Sequence, residues 1–147
     1  METNVITKPN VKQAVPFFMV DNMERALKFY VEGLGFEMKN KWTPRGVIEW
    51  CWLQRDDAAI MLQEYRKEGQ NAKNIHSKPG EGISIWFQCE DSLELYREFL
   101  SKGLHPGEPF VGNNMWDVKI ADPDGYILHF ESPTDVSEET KYSDWKK

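Results

Sequence analysis

The chain has 147 residues, with 18 Lys and Arg against 24 Asp and Glu, a net charge of −6, two cysteines and six tryptophans. That is the length of one domain, able to bury roughly 70% of its unfolded surface and so to hold a core without disulfides or a structural metal. An acidic balance with no Lys/Arg stripe argues against nucleic acid and anionic membranes. No apolar run reaches the ~20 residues of a bilayer span, and METNVITKPN lacks a signal-peptide core, so cytoplasmic residence is the expectation.

Residues 11–65 read as a first module. From Ala14 the sequence is AVPFFMVDNMERALKFYVEGL, and 70 residues on, from Ser84, it is SIWFQCEDSLELYREFLSKGL; Phe17/Phe87, Asp21/Asp91, Glu24/Glu94, Phe29/Phe99, Gly33/Gly103 and Leu34/Leu104 coincide. In each copy an apolar strand ends at an Asp that is followed three residues later by Glu. This spacing predicts a helix N-capped by Asp21 or Asp91. Met23, Ala26, Leu27 and Tyr30, and then Leu93, Tyr96, Phe99 and Leu100, recur at helical spacing, and Gly33 and Gly103 are expected to stop the helices in the left-handed conformation.

After the first helix, Phe36–Trp42, Val47–Leu53 and Ala58–Tyr65 read as strands broken by Thr43-Pro44-Arg45-Gly46 and Arg55-Asp56-Asp57. Arg66–Glu81 is polar, bears Pro and Gly, and reads as a linker. The second module, 82–132, repeats the order with a short stretch at Pro109–Val111, then Met115–Ala121 and Tyr126–Ser132, broken by Gly112-Asn113-Asn114 and Asp122-Pro123-Asp124-Gly125. Each half is a βαβββ unit, so the class is α+β in one domain. The tail 133–147 is charged and expected to be peripheral, although Tyr142 and Trp145 offer anchors. Cys51 and Cys89 lie in apolar runs without CxxC spacing and read as buried thiols. No phosphate-loop, dinucleotide or GxSxG motif occurs.

Two such modules, with VPFFMVDNMERALKFYVEGLGF in the first and VKIADPDGYILHFE in the second, resemble the vicinal-oxygen-chelate superfamily of glyoxalase I, extradiol dioxygenases, fosfomycin-resistance thiol transferases and bleomycin-resistance proteins. The resemblance spans roughly residues 11–132. It implies a curved mixed sheet around a cavity, with helices on the convex side. Metalloenzymes of the family take four ligands from positions that match Ala14, Met61, Ser84 and His129. Ala has no donor, Met is a soft ligand and a neutral Ser hydroxyl is a poor one, so no cofactor is expected. The alternative implied by the resemblance is a glyoxalase-like lyase or a dioxygenase holding a displaced divalent metal on Gln63, His129 and Glu131.

The metal-free bleomycin-resistance branch is the better match: DPDGYILHF has His where the enzymes have Glu, Arg55-Asp56-Asp57 matches its turn, and ISIWF matches its aromatic fifth strand. That branch implies a homodimer that sequesters a cationic, partly aromatic antibiotic and catalyses nothing. The family register sends Ala14, Pro16, Phe18 and Val20 inward on the first strand, Ser84, Trp86 and Gln88 on the fifth, and Ile127, His129 and Glu131 on the eighth.

The candidate ligand-binding set is therefore Phe18, Trp42, Trp50, Trp52, Ser84, Trp86, Gln88, Trp116, His129 and Glu131. Parity leaves Trp50, Trp52 and Trp116 open between cavity and core, and Trp42 between cavity rim and dimer seam. Trp145 reads as a tail anchor. His129 reads as a hydrogen-bonded cavity residue, with metal ligand, general base beside Ser84, and core filling as alternatives. Asp56 and Asp57 form a turn or add negative potential; His76 and His105 are expected in solvated loops. A third possibility is an inert dimer with a protein partner.

Overall fold

The computed structural model describes residues 9–69, 72–74 and 78–146; His76 lies outside them. Strand β1 (Phe17–Val20) leads into α1 (Met23–Leu27), which widens into a π turn over Lys28–Gly33, followed by β2 (Glu37–Trp42), β3 (Trp50–Arg55) and β4 (Ala58–Glu64). The second half repeats this as β5 (Ser84–Gln88), α2 (Ser92–Ser101), β6 (Phe110–Gly112), β7 (Met115–Ala121) and β8 (Ile127–Pro133), and α3 (Tyr142–Trp145) ends the chain. Two four-stranded mixed sheets result, ordered β1-β4-β3-β2 and β5-β8-β7-β6, with β1 parallel to β4 and β5 parallel to β8. The two βαβββ modules of an α+β fold are present, and neither sheet closes into a barrel.

The repeat holds with one shift of register. Phe17 pairs with Met61 as Trp86 pairs with His129, and the first helix is capped by Asn22, whose Oδ1 accepts from Arg25 N, as Asp91 caps α2. Up to the cap the modules thus correspond at a spacing one residue shorter than at Leu34 and Leu104, which both donate to a Phe carbonyl five residues back. Asp21 is not the cap. Its amide donates to Asp124 Oδ1 at 3.0 Å and its carboxylate pairs with Lys73 at 2.9 Å, so it joins the modules and the linker instead.

The same shift corrects the first strand. Phe18 and Val20 lie in the core, sharing the face of Leu62 and Ile60, while Phe17 is 46% exposed. FFMV is apolar on both sides, so alternation carries no information there. Gly103 takes the left-handed conformation (φ +79°), but in the first module that place belongs to Gly35 (φ +80°). Gly33 instead packs against the second module, where a Cβ would stand 3.0 Å from Leu104 Cδ1 and the leucine would have to shift.

One core cluster joins the modules through their helix-side faces, with Phe18 stacked on Tyr126 at 4.1 Å and Phe36 meeting Phe87 at 6.0 Å. Arg55 clamps the opposite seam, giving Nη1 to Leu34 O and both Nη atoms to the Glu98 carboxylate. A second cluster of Leu93, Val111 and Trp116 is closed by the tail, whose Thr140 carbonyl accepts from Val111 N and whose Tyr142 and Trp145 rings lie 6.2 and 5.4 Å from Trp116. The tail packs on the body. Trp116 is therefore a core residue: it alternates with Asp117 and shares the helix side with Val118 and Ile120, all buried.

Candidate functional site

The two sheets each turn one face to the core and leave one open. On the second sheet, β5 and β8 pair Ser84 with Ile127, Trp86 with His129 and Gln88 with Glu131, and strand alternation places all six on the open face. β7 adds Asp117 opposite Glu131 and Lys119 opposite His129, and β6 adds Phe110 opposite Asp117. Three polar contacts order this surface. Trp86 Nε1 donates to Ser84 Oγ at 2.9 Å, Gln88 Nε2 donates to Glu131 Oε1 at 2.8 Å, and His129 Nδ1 lies 2.9 and 3.0 Å from the two carboxylate oxygens of Asp117. The Trp86 and His129 rings stack in parallel, 3.7 Å apart with 1° between planes.

A carboxylate only accepts, so Nδ1 of His129 carries the proton toward Asp117. The imidazole is held on one side by that bond and on another by the indole. The indole stacks on the imidazole, yet Trp86 remains 46% exposed. The surface carries two carboxylates, Asp117 and Glu131, against one ammonium, Lys119.

On the first sheet the open face holds Phe17 of β1, Met61 and Gln63 of β4, Trp50 and Trp52 of β3 and Trp42 of β2, with Trp50 opposite both Trp42 and Gln63. Their alternates Cys51 and Leu53 are fully buried, which resolves the parity of Trp50 and Trp52 away from the core. Trp52 Nε1 donates to Gln54 Oε1 at 3.2 Å, and Trp42 is 45% exposed.

Eight of the ten expected residues therefore lie on open sheet faces, three on the first sheet and five on the second; Phe18 and Trp116 do not. Asp117, Lys119 and Phe110 belong to the surface and were not anticipated. Their signal is the alternation in MWDVKIA, where Asp117 and Lys119 interrupt the apolar Trp116, Val118 and Ile120 and so must face away from the core. His105 is exposed in a loop, and Asp56 (φ +50°) and Asp57 form the β3–β4 turn.

The helix-side faces of the two sheets share one core cluster, away from the open faces. A cavity of about 640 Å³ opens instead at the module seam, floored by Phe36, Phe87, Leu95 and Phe130 and rimmed by Asp56, Asp57, Glu90, Asp91, Glu94 and Glu98; of the open-face residues only Gln88 reaches it. Arg55 holds the Glu98 carboxyl below its usual range, and burial raises the Cys89 thiol in the same wall.

The family's metal positions do not fit a divalent cation here. The register shift moves the first position from Ala14 to Val15, which has no donor either, and Met61 offers only a soft thioether and Ser84 a neutral hydroxyl. Of the displaced set, Gln63 lies on the first sheet and His129 and Glu131 on the second, with His129 Nδ1 already bonded to Asp117 and Glu131 Oε1 to Gln88. Among the described residues no group of three His, Cys, Asp or Glu is placed to hold a metal ion.

No helix is long and apolar enough to cross a membrane. No curated protein matches the chain in sequence. Among solved structures it is similar to a bleomycin-binding protein complexed with bleomycin (21% identity, 83% of this chain and 98% of that one, TM-score 0.61). TnmS3, an antibiotic binding protein from Streptomyces sp. CB03234, is also similar (19%, 86% and 100%, TM-score 0.62). So is the integron cassette protein HFX_CASS4 from the mobile metagenome of the Halifax Harbour sewage outfall (26%, 83% and 99%, TM-score 0.61). Residues 12–130 match the model of the Glyoxalase/Bleomycin resistance protein/Dioxygenase superfamily, and with the paired βαβββ sheets in place the chain belongs to that family.

Proposed function

We propose that this protein is a homodimeric, metal-free binding protein of the bleomycin-resistance type, sequestering a planar cationic small molecule against the tryptophans of its open sheet faces. One observation carries the reading: Trp86 is held in a single orientation by His129 and Ser84, exposed and with no part in the core. A ring fixed before binding loses little entropy when a ligand stacks on it. Stacking contributes about 0.5–1.5 kcal/mol per aromatic pair beyond area burial, and cation–π attraction up to ~2 kcal/mol when desolvated.

The homodimer is supported by the exposure of Phe17, Trp42, Trp86 and Phe110 in a single chain, more large apolar surface than isolated side chains account for. Setting the first-sheet face of one copy over the second-sheet face of another gives a cavity with Trp42, Trp50 and Trp52 on one wall and Trp86 on the other. Two structurally similar proteins are named for binding bleomycin or an antibiotic, which favours the same ligand class and makes antibiotic resistance the expected phenotype. The free cysteines suit a reducing compartment such as the cytoplasm.

Three measurements test the reading. Light scattering should give a dimer, elemental analysis of protein purified without chelator should find far less than one transition metal per chain, and bleomycin should quench tryptophan fluorescence saturably. One tightly held Zn, Ni, Mn or Fe per chain would overturn it in favour of a metalloenzyme.

A further inference from the structure

We infer that the cavity at the module seam is a second binding site, separate from the tryptophan-bearing sheet faces, and that it takes a small amphiphilic amine: an aromatic or aliphatic body carrying an ammonium group. The inference stands whether or not the open sheet faces bind a ligand, because of their residues only Gln88 reaches this cavity.

The floor is apolar and belongs to both modules. Phe36 of the first meets Phe87 of the second at 6.0 Å, Phe87 lies on Phe130 at 4.7 Å, and Leu95 of α2 adds an aliphatic wall. Phe36 and Phe130 are core residues, so the cavity ends on the hydrophobic core, and an apolar body placed there removes both its own surface and that of the floor from water. A volume of about 640 Å³ lies within the ~300–1,000 Å³ of pockets that enclose one small molecule, which favours such an occupant over a protein segment.

The rim decides the charge. Some of its carboxylates are already matched: Arg55 holds Glu98, and Asp91 Oδ1 caps α2 by accepting from Glu94 N. Asp56 and Asp57 on the β3–β4 turn, and Glu90 and Glu94 at the start of α2, make no ion pair among the described residues. Arg55 is the only cation among the described lining residues, and its charge is answered by Glu98. Carboxylates without a counter-ion, supplied from both modules around an apolar floor, repel anions and offer an ammonium charge-assisted hydrogen bonds. An uncharged ring would fill the floor and leave the rim unanswered; a bare polyamine would do the reverse. An amphiphilic amine satisfies both.

The test is calorimetric titration of the intact protein with dansylcadaverine, an aromatic body carrying one ammonium, against dansylamide, which has the same ring without the charge, and cadaverine, which has ammonium groups without the ring. Dansylcadaverine should bind about tenfold or more tighter than either, one hydrogen bond from a charged donor being worth that much, and should weaken as salt is raised. Its place is read at Cys89, whose thiol lies in the cavity wall: a saturating probe should slow iodoacetamide labelling there several-fold. The double variant Asp57→Asn, Glu94→Gln leaves the Asp91 cap and the Arg55–Glu98 pair intact, and should bind dansylcadaverine about tenfold more weakly. Trp86→Ala should bind it as wild type does and keep the protection of Cys89. Equal binding of dansylcadaverine and dansylamide, no binding at all, or unprotected Cys89 with the probe bound would each overturn the seam site. If binding is lost in Trp86→Ala and kept in the double variant, the probe sits on the sheet faces, so the seam site falls while the stacking function stands. If a peptide alternating Lys and Phe protects Cys89 where dansylcadaverine does not, the occupant is a basic protein segment and the small-amine assignment falls.

Discussion

Tyr30 Oη donates a 2.7 Å hydrogen bond to Asp122 Oδ2, tying α1 to the β7–β8 hairpin across 92 residues of sequence. The other oxygen of Asp122 accepts from Asp124 N and Tyr126 N, both at 2.9 Å, so the turn's own amides and the first module converge on one carboxylate. Burial raises the pKa of both partners, Tyr30 well above its ordinary value. Tyr30→Phe removes the donor and leaves Oδ2 buried without it. We expect a loss of about 1–3 kcal/mol, read as a lowered urea midpoint with an unchanged slope.

The opposite seam has the opposite acid response. Arg55, donating to both oxygens of Glu98, holds that carboxyl below its ordinary value. A carboxyl depressed in the folded state binds fewer protons there than when unfolded, so its stabilising effect is full above the unfolded value, about pH 4.3, and is lost as pH falls through the folded one. Asp122 is raised by burial and works in reverse: its folded form holds the proton longer, so stability declines as pH climbs past the unfolded value. Melting temperature followed from pH 7 to pH 3 should show a shallower acid fall in Glu98→Gln than in wild type. A parallel fall in both would remove the Arg55 pair from the account.

The βαβββ order, most strand bounds and the face of β5 and β8 were legible because polar and apolar residues alternate there: Ser84, Trp86 and Gln88 against Ile85 and Phe87. β1 was not legible, because Phe17, Phe18, Met19 and Val20 are all apolar and the repeat alone had to set their facing. Aligning Phe17 with Phe87 and Asp21 with Asp91 put that strand one residue out. The clue lay in the neighbouring residue, since Asn22 caps a helix as well as Asp does. Alternation in MWDVKIA turns Asp117 outward, but its bond to His129 depends on which strands lie side by side, which a linear pattern does not report.

Trp86 and Trp116 separate a binding role from a packing role. Trp116 is 4% exposed among Leu93, Val111 and Tyr142, and its carbonyl accepts from Ser92 Oγ at 2.8 Å. Trp116→Ala should cost about 3–5 kcal/mol through the cavity it leaves. Trp86→Ala should change stability far less and weaken binding of bleomycin about tenfold. Chemical denaturation paired with a binding titration on both variants measures the contrast; equal stability losses would return Trp86 to the core.

The two thiols should differ in reactivity. Burial pushes the Cys51 thiol up to about 11, and its Sγ lies 3.9 Å from Met23 Sδ inside the core. Cys89 is half-buried at the end of β5, beside Arg55 and on the wall of the seam cavity. Only the thiolate alkylates, so iodoacetamide at pH 8 should label Cys89 first and Cys51 at a rate set by unfolding. Peptide mapping over time distinguishes the two, and Cys51 reacting as fast as Cys89 would contradict the burial.

Phe17 and Phe18 carry the sharpest consequence of the corrected register, because adjacent residues of one type should give opposite results. Phe18 is 4% exposed and stacks on Tyr126, whose hydroxyl donates to Met19 O, so its ring sits where β1 meets the DPDG hairpin. Phe18→Ala should cost about 3–5 kcal/mol. Phe17 pairs with Met61 on the open face, and Phe17→Ala should leave stability within about 0.5 kcal/mol. Its effect should fall on association: truncating an apolar ring at the edge of the first-sheet face weakens whatever that face contacts, so the dimer dissociation constant or the bleomycin affinity should worsen. Sedimentation velocity across protein concentration, alongside thermal melts of both variants, measures both effects. A destabilised Phe17→Ala with a stable Phe18→Ala would restore the original register and turn Phe18 back toward the site.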